Sequence, residues 1–476
     1  MKPASHAFRA NATAALHDAS LQQALRNAKG GFIDRRRQAI EALPEFEPLR
    51  AAARDIKEHT LAHLDYYLER FEERVTAAGG QVHWARTAEE ACRIVADLCR
   101  AAGARLITKG KSMIGEEIGL NEVLEAAGYE VVETDLGEYI IQLAHEPPSH
   151  IIAPAVHKTR ADIARLFREH HSQYGFEGTR DTVPAIVDEA RQLLRGKFVT
   201  ADVGITGANF LIAETGSTVI VTNEGNGDLT GTLPRVHIVL ASLEKVVPTL
   251  EDASVLLRLL ARSATGQEMT AYTTFFTGPR RPEDTDGPEA FHVVLLDNGR
   301  SEMLGNDYRD MLRCIRCGAC LNYCPVYGAV GGHAYGWVYP GPMGAVLTPL
   351  IVGLKEGGSL ANASTLCGRC ETVCPMSIPL PRLLRQHRVR EHEQKLTPPR
   401  ARLALAAWAF AARRPRLYRQ VINAVAVILG ALGRRRGRLR YLPLARAWTR
   451  ARDFPAPQGR SFISAWHKQW RQRKER

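Results

Sequence analysis

The spacing of the cysteines constrains the fold of this 476-residue chain more than any other feature. Seven of the nine cysteines fall within residues 314–374. The first run, CIRCGACLNYCP, has the spacing C-x2-C-x2-C-x3-C followed by proline, and the second, CGRCETVCP, has C-x2-C-x3-C followed by proline. Bacterial ferredoxins use this spacing, in which thiolates separated by two residues wrap one face of a [4Fe–4S] cluster. Zinc sites are usually built from paired CxxC units with a different spacing, so the pattern predicts two [4Fe–4S] clusters.

The ligand sets follow from the crossed arrangement of such runs, in which the cysteine before the proline reaches the other cluster. The first cysteine of the second run would stand at position 364, where this chain has Ser364. The fourth ligand of cluster 2 therefore stays open between the Ser364 oxygen, a residue elsewhere in the chain, an exogenous ligand and a three-iron cluster. The predicted ligands are Cys314, Cys317, Cys320 and Cys374 for cluster 1, and Cys324, Cys367 and Cys370 for cluster 2.

The segment between the two cysteine runs is longer than a minimal ferredoxin needs, which predicts helices there rather than a compact β-rich fold. It contains GGHAYGWVYPGPMGAVLTP, in which aromatic and imidazole side chains stand among glycines and prolines. His333 and Tyr335 are candidate substrate contacts, because such side chains can line a substrate or quinone pocket. The alternative is that they shield the clusters from water.

Residues 72–300 alternate helical patterns with short, continuous apolar segments. Strands of this kind are typical of a parallel or mixed sheet with helices on both faces, so we expect an α/β domain over 72–300. We expect an exposed N-terminal helical arm over 1–71, an α-helical ferredoxin-type domain over 301–390 and a basic helical C-terminal extension over 391–476. The predicted strands are 82–84, 105–108, 130–133, 151–153, 218–222, 237–241 and 292–296.

Two loops of the α/β region carry candidate substrate or catalytic residues. Lys109, Lys111 and Ser112 follow a predicted strand and resemble the end of a phosphate-binding P-loop, but Arg105 stands where the first glycine of that motif belongs. These three residues are therefore candidate contacts for a carboxylate at a helix N-terminus, with a solvated loop as the alternative. Glu214, at the entry of a strand, is a candidate base or nucleophile, or else it caps the turn. We find no convincing flavin or nicotinamide fingerprint.

The formal net charge of +12 is unevenly distributed. Residues 381–476 hold 25 Lys and Arg against 4 Asp and Glu, whereas residues 1–380 hold 38 against 47. An acidic body with a basic tail disfavours a uniformly basic nucleic-acid-binding protein. The arginine, tryptophan and leucine residues of the tail suit an interfacial helix beside anionic lipid, or a surface that docks a partner.

Signals for export are weak in this sequence. The first twenty residues have no continuous apolar core, and no uninterrupted apolar run reaches the length of about 18 residues expected of a spanning helix. We therefore expect a cytoplasmic protein, where thiols stay reduced, with peripheral contact at the cytoplasmic face of the inner membrane as an option for the basic tail.

Four longer motifs resemble the lactate utilisation protein B family of iron–sulfur proteins. They are CIRCGACLNYCPVY, GGHAYGWVYPGPMGAVLTP, SLxxxSTLCGRCETVCPMSIPL and ITGANFLIAETGSTVIVTNEGNGDLTGTLPRVHIVLASLEKVVPT. The resemblance implies that 72–300 is a lactate-utilisation (LUD) domain, related to the sugar-isomerase and CoA-transferase α/β fold. It also implies that 301–390 is a helical ferredoxin domain whose seven cysteines are the cluster ligands.

The resemblance implies a function as well. Such a chain would be the electron-transfer subunit of a flavin-independent complex that oxidises L-lactate to pyruvate, rather than a complete enzyme. Its two partners would be a cysteine-rich-domain protein and a second LUD-domain protein. A redox subunit for another 2-hydroxy acid, or for a thiol or disulfide substrate, is the alternative, because fold alone does not determine function. A membrane or nucleic-acid adaptor with structural clusters is a third hypothesis, and the charge distribution disfavours nucleic acid.

Overall fold

The computed structural model describes residues 3–176 and 182–474. The chain divides into two compact units, Met1–Arg390 and Glu391–Arg476. The first unit contains both cysteine runs and every other candidate site residue named above.

The N-terminal helices belong to the core of the first unit. They are a 3-10 turn at Ser5–Ala7, then α1 (Phe8–His17), α2 (Ala19–Glu41), α3 (Phe46–Ala62) and α4 (Leu64–Ala77). In α4, Leu64, Leu68, Phe71 and Val75 recur at helical spacing and are all buried. The segment is helical as predicted, but the expectation of an exposed arm is wrong, because the apolar stripes of α3 and α4 lie in the hydrophobic core.

In the described part of the first unit, ten strands form two sheets. They are β1 (Gln81–Ala85), β2 (Leu106–Gly110), β3 (Glu130–Glu133), β4 (Val203–Gly207), β5 (Phe210–Ile212), β6 (Ser217–Thr222), β7 (Val236–Ser242), β8 (Val246–Val247), β9 (Tyr272–Phe276) and β10 (Ala290–Leu296). One sheet has the order β1-β10-β7-β4-β2-β3 and is parallel throughout. The other has the order β8-β5-β6-β9, and its strand β6 is antiparallel to both neighbours. The α/β class predicted from the sequence is confirmed.

Helices cover both faces of the parallel sheet. Besides α4, the helices described between residues 82 and 304 are α5 (Ala88–Ala101), α6 (Met113–Ile118), α7 (Leu120–Ala126), α8 (Leu136–Leu143), α9 (Arg160–His171), α10 (Val183–Thr200), α11 (Asn226–Thr232), α12 (Leu250–Ala264) and α13 (Arg300–Leu304). Successive residues of a strand point to opposite faces, so Val239 of β7 packs in the cluster that contains Phe71 of α4, whereas Leu240 packs in the cluster that contains Val95 of α5. This two-sided burial explains why β7 is apolar at successive positions.

One predicted strand is wrong. Residues 151–153 form a bend, which the Ser149 N–H closes by donating to the Pro154 carbonyl oxygen at 3.0 Å. Ile151 is buried in the same cluster as Cys317. The short apolar run therefore reflects packing against the first cysteine run, and periodicity cannot distinguish such a run from a strand. The other six predicted strands correspond to β1, β2, β3, β6, β7 and β10.

The cysteine-bearing region is helical, as predicted. Its helices are α14 (Ala319–Asn322), α15 (Tyr327–Val330), α16 (Gly341–Ile351), α17 (Leu354–Gly357), α18 (Arg369–Thr372) and α19 (Leu380–Glu393). Every residue from 301 to 390 is described, and none of them lies in a strand. A glycine with left-handed backbone precedes α14 and α18 alike, Gly318 at φ 73° and Gly368 at φ 82°. The same turn, which favours glycine, thus follows one cysteine in each run.

The second unit consists mainly of helices. They are α20 (Pro399–Ala412), α21 (Pro415–Gly433), α22 (Arg446–Thr449) and α23 (Phe462–Lys474). Two short strands, β11 (Arg438–Leu439) and β12 (Phe454–Pro455), pair antiparallel. Within the described part of the chain, no helix combines the length and the apolar character needed to cross a membrane.

Candidate functional site

Cysteines of both runs line one cavity. Cys314, Cys317 and Cys320 come from the first run, and Cys374 comes from the second. Most other residues around this cavity are apolar, Ile151 among them. Burial, and then the charge of Cys374, raises the pKa of the Cys317 thiol to about 12. Sulfurs that converge in this way repel one another as thiolates, so a cationic partner such as iron would stabilise their deprotonated form. We refer to these four residues as the cysteine quartet.

The other three cysteines of the two runs form a second group. Burial, and then the charge of Cys324, raises the pKa of Cys370 to about 12. Cys367 is exposed, and its charge contributes to raising the pKa of both Cys324 and Cys370. The Ser364 hydroxyl accepts a hydrogen bond from the Leu366 N–H at 3.1 Å. The structure thus brings together three sulfur donors, while the Ser364 oxygen takes part in a local turn.

Tyr335 lies against this second cysteine group. Its side chain is buried, and burial and then the charge of Cys324 raise its pKa well above the usual range. The ring of Phe8 packs edge-on against it, with the ring centroids 5.2 Å apart. This placement agrees with the alternative in which the aromatic residues shield the clusters from water.

His333 lies in a separate polar cluster with Glu146 and His157. Their potential ligand atoms lie within 4.8 Å of one another. The imidazole of His333 shares a hydrogen bond of 2.7 Å with the Pro147 carbonyl oxygen. The Lys158 ammonium donates to Glu146 at 2.5 Å. His333 therefore belongs to a hydrogen-bonded cluster whose carboxylate is paired with the Lys158 ammonium.

A second cavity, of about 150 Å³, opens at the carboxyl-terminal edge of the parallel sheet, and we call it the sheet-edge cavity. Lys111 and Ser112, which follow β2, line it together with Ala208, which follows β4. Arg316 and Tyr339 of the cysteine region line it too. Open parallel sheets bind ligands at this edge. The structure therefore brings two of the predicted substrate residues into one cavity.

Local partners hold Lys111 and Ser112 in place. The Lys111 ammonium lies 2.9 Å from an oxygen of Asp135, and the Lys111 N–H donates to Glu138 at 2.9 Å. Burial and neighbouring carboxylates raise the pKa of Glu138 well above the usual range. The Ser112 hydroxyl accepts from the Gly115 N–H at 3.1 Å and so caps α6. These contacts position the loop after β2 without filling the cavity.

Lys109 and Glu214 do not line the sheet-edge cavity. Lys109 is fully buried, and its ammonium lies 2.9 Å from Glu116 and 2.7 Å from Glu133. Glu214 is exposed and accepts a hydrogen bond from the Leu250 N–H, at the first residue of α12, at 3.3 Å. Lys109 thus neutralises carboxylates in the interior. The hydrogen bond of Glu214 agrees with the alternative in which this residue is a cap.

Two cations at the sheet-edge cavity were not singled out from the sequence, Arg316 and Lys245. Arg316 Nη2 donates to Glu244 Oε1 at 3.1 Å, and its guanidinium lies 5.4 Å from the centroid of the Tyr339 ring. Burial, and then the charge of Arg316, lowers the pKa of Lys245 to about 8. Only the positions of these two cations in the sequence could have pointed to them. Arg316 stands inside the first cysteine run, and Lys245 lies in the long motif that ends ASLEKVVPT.

A buried ion network lies behind these cations. Arg300 donates to both carboxylate oxygens of Glu117, at 3.0 and 2.6 Å, and its Nε lies 3.1 Å from Glu244. The Tyr339 hydroxyl donates to Glu117 at 2.7 Å. Since Glu117 belongs to α6 and Tyr339 to the cysteine region, the network joins the cysteine region to a helix of the α/β region.

Three family models match successive parts of the chain. They are the LUD domain at residues 68–296, the 4Fe-4S dicluster domain at 310–378 and Lactate utilisation protein B, C-terminal, at 381–474. The lactate utilization protein B of Lysinibacillus sphaericus (strain C3-41) is 43% identical over 465 residues, which cover 97% of each chain. The chain belongs to the lactate utilisation protein B family.

Other relatives of this lactate utilisation protein B family chain are similar over nearly its whole length. The lactate utilization protein B of Geobacillus sp. (strain WCH70) is 45% identical over 94% of each chain. The uncharacterized electron transport protein YkgF of Escherichia coli (strain K12) is 42% identical over 100% of this chain and 99% of its own. A crystal structure of a DUF162 family protein from Deinococcus radiodurans covers 49% of this chain and 98% of its own, with 15% identity and a TM-score of 0.27.

The cysteines fit the iron–sulfur assignment of the lactate utilisation protein B family. All seven cysteines of the two runs fall within the 4Fe-4S dicluster match at 310–378. The structure gathers them into one group of four and one of three, and thiolates are the donors that iron–sulfur clusters require. The donor type and the grouping both suit a domain that binds iron–sulfur clusters.

Proposed function

We propose that this chain is the iron–sulfur electron-transfer subunit of a flavin-independent complex that oxidises L-lactate to pyruvate. Relatives named lactate utilization protein B and the 4Fe-4S dicluster match support this role. The observation that carries the proposal is that Cys374 joins the three cysteines of the first run around one cavity. The proposed ligands are Cys314, Cys317, Cys320 and Cys374 for one [4Fe–4S] cluster, and Cys324, Cys367 and Cys370 for the other.

The N-terminal helices of the chain would hold the second cysteine run in place. A guanidinium nitrogen of Arg36 donates to the Val373 carbonyl oxygen at 2.8 Å, and Arg50 Nε donates to the Cys374 carbonyl oxygen at 2.7 Å. The apolar lining of the quartet would exclude water. When bound, the clusters would supply acceptors for single electrons. Of the candidate substrate contacts, we retain Lys111 and Ser112, because they line the sheet-edge cavity.

We also propose that the chain works in an assembly. Its partners would be a cysteine-rich-domain protein and a second LUD-domain protein. The second unit would contact one of them or the surface of the inner membrane. Trp408 and Phe410 of α20 are 62% and 56% exposed, and exposed aromatic side chains beside arginines are typical of interfacial helices.

The cluster proposal is tested by the iron content of the anaerobically purified chain and by its EPR spectrum. Two clusters would contribute about seven to eight irons per chain. We expect Cys317→Ser to lose about half of this iron and to abolish growth on L-lactate. Cys92→Ser is the matched control, because Cys92 is also buried but lies in α5, outside both cysteine groups. Normal growth of the Cys317→Ser strain, or a wild-type chain with far less iron, would contradict the proposal.

The substrate proposal is tested with the reconstituted three-protein complex. L-lactate, glycolate and a low-molecular-weight disulfide are compared as substrates, with cluster reduction or oxidation followed by EPR. We expect reduction by L-lactate with formation of pyruvate. Faster turnover of glycolate or of the disulfide would favour the alternative of a redox subunit for another substrate.

A further inference from the structure

We propose that the sheet-edge cavity is a binding site for a small carboxylate, in which Arg316 binds the carboxylate group and Lys245 supplies a second positive charge. The inference rests on the proposed function only for the occupant, which would be a 2-hydroxy acid such as L-lactate. The cavity, its charges and its position next to the cysteine quartet are independent of that identity.

Arg316, which lines this cavity, has an unused donor. Its side chain is 8% exposed, and Nη2 donates to Glu244 at 3.1 Å. Nη1 is buried and has no hydrogen-bond partner among the described residues. A guanidinium binds a carboxylate through two parallel N–H groups, and a buried donor is seldom left without a partner. The open Nη1 in the wall of a cavity therefore points to an anionic ligand.

The backbone at Arg316 is also unusual. Its φ of 58° lies in the left-handed region, which residues with a side chain adopt infrequently. Strained backbone of this kind persists where the surrounding structure requires it, often at binding sites. A glycine would relieve this strain but would remove the guanidinium. Leu366, which precedes Cys367 as Arg316 precedes Cys317, has a φ of 52°, so this conformation belongs to the turn that both cysteine runs share.

The charges that line the sheet-edge cavity leave an excess of positive charge. Three cations line it, Lys111, Lys245 and Arg316, together with two carboxylates, Asp135 and Glu138. Asp135 is bound to Lys111 at 2.9 Å. The pKa of Glu138 is raised well above the usual range by burial and by neighbouring carboxylates, which favours its neutral form. The cavity is therefore suited to one additional negative charge.

The carboxylates behind the cavity wall do not cancel this excess. Glu244 is shared by Arg316 and Arg300, with N–O distances of 3.1 Å to each. Glu117 is bound by Arg300 and by Tyr339. Two guanidiniums thus balance two buried carboxylates, while Lys245 has no carboxylate within 4.0 Å among the described residues. Its ammonium remains free to face an anion in the cavity.

The size and position of the cavity indicate the class of ligand. Its volume of about 150 Å³ is well below the roughly 300–1,000 Å³ of pockets for drug-sized molecules. A molecule of only a few heavy atoms therefore fits it best. Ile151 and Arg316 line both this cavity and that of the cysteine quartet. A small carboxylate held by Arg316 would lie beside the place where the chain accepts electrons.

The test is calorimetric binding of L-lactate to the full-length, anaerobically purified chain, with iron content measured for every sample. Pyruvate is the second carboxylate probe, and lactamide, which has the same shape without the charge, is the ligand control. We expect Arg316→Gln and Lys245→Gln each to weaken L-lactate binding at least tenfold, and we expect lactamide not to bind. The matched control is Lys197→Gln, because Lys197 pairs with Glu130 at the opposite, amino-terminal edge of the sheet.

The outcomes separate this site from the proposed function. Unchanged L-lactate affinity in Lys245→Gln and Arg316→Gln at full iron content would overturn the site. Both cations would then serve to balance the negative charge of the cysteine quartet. If Arg316→Gln loses iron, Lys245→Gln decides, since Lys245 lies outside both cysteine runs. A wild-type chain that binds neither carboxylate would overturn the site while leaving the cluster proposal standing. Binding of both carboxylates without cluster reduction by L-lactate would support the site and contradict the proposed substrate.

Discussion

Single histidines buried in the interior determine part of the electrostatics of this chain. His237 is fully buried on β7, where its Nε2 lies 2.8 Å from the Thr206 hydroxyl. Burial lowers its pKa to about 3, and burial lowers the pKa of His150 to about 4. Both side chains are therefore neutral in the folded chain at pH values where an exposed histidine is charged.

This burial predicts a pH dependence of stability. Between pH 6.5 and about 3, the unfolded chain binds a proton at His237 that the folded chain does not, so the free energy of unfolding decreases as the pH falls through that window. Between pH 6.5 and 5, His237 alone accounts for about 2 kcal/mol of this loss. We expect His237→Gln to show a loss smaller by about that amount, measured by urea unfolding at the two pH values.

The control for this measurement is His17→Gln, because His17 is exposed at the end of α1. It should show the same pH dependence as the wild-type chain. An unchanged pH dependence in His237→Gln would contradict the neutral state inferred for that side chain.

Glycine marks a close approach between two elements of the parallel sheet domain. A Cβ placed on Gly204 of β4 would lie 1.8 Å from the carbonyl oxygen of Thr230 in α11. By contrast, a Cβ on Gly196 in α10 would meet nothing within 4 Å. The packing of α11 on the sheet therefore depends on glycine at position 204, whereas position 196 tolerates a side chain.

These two glycines provide a matched pair of substitutions. We expect Gly204→Ala to lower the free energy of unfolding by roughly 1–3 kcal/mol, because strand and helix backbones must move apart. Gly196→Ala should raise it by about 0.5–1 kcal/mol, because alanine loses less conformational entropy than glycine in a helix. Urea unfolding of both variants checks the prediction, and equal effects would show that α11 does not pack as described.

At the level of elements, the sequence predicted strands best where an uninterrupted apolar run lies in the sheet. β7 and β10 were visible as nearly continuous apolar runs. β4, β5, β8 and β9 were not predicted, since glycines interrupt β4, since β5 and β8 have only three and two residues, and since β9 is partly exposed. The apolar run at 151–153 was misread because burial against the cysteine run leaves the same trace in the sequence as burial in a sheet.

At the scale of the whole molecule, the candidate site residues lie in one compact unit and most residues of the basic tail lie in the other. Both cysteine groups and the sheet-edge cavity lie in Met1–Arg390. A chain that ends at Leu396 keeps α19 whole. We expect this truncated chain to retain the iron content of the full chain, because no sulfur donor of either group lies beyond Cys374.

The same truncation tests the proposed membrane contact. The full chain should float with liposomes that contain anionic lipid, and the truncated chain should not, because the basic residues and the exposed aromatic side chains of α20 are removed. Equal flotation of both chains would contradict the membrane contact. Loss of iron on truncation would contradict the independence of the first unit.

The sequence by itself determined the chemistry that depends on local spacing. Cysteines two and three residues apart must share a turn, so the type of metal centre and the open position at Ser364 could be inferred from sequence alone. The alternation of helices with apolar segments likewise determined the α/β class, since each pattern reports the burial of its own element.

Only the tertiary structure decided which distant residues meet. Lys111, Lys245 and Arg316 come from three separated parts of the chain, yet they line one cavity, whereas Lys109, only two residues before Lys111, is enclosed among carboxylates. Lys109 lies within β2, whereas Lys111 follows the end of that strand, and contacts between distant segments leave no periodic trace in the sequence. The proposed carboxylate site therefore depends on the packing of the cysteine region against the sheet edge.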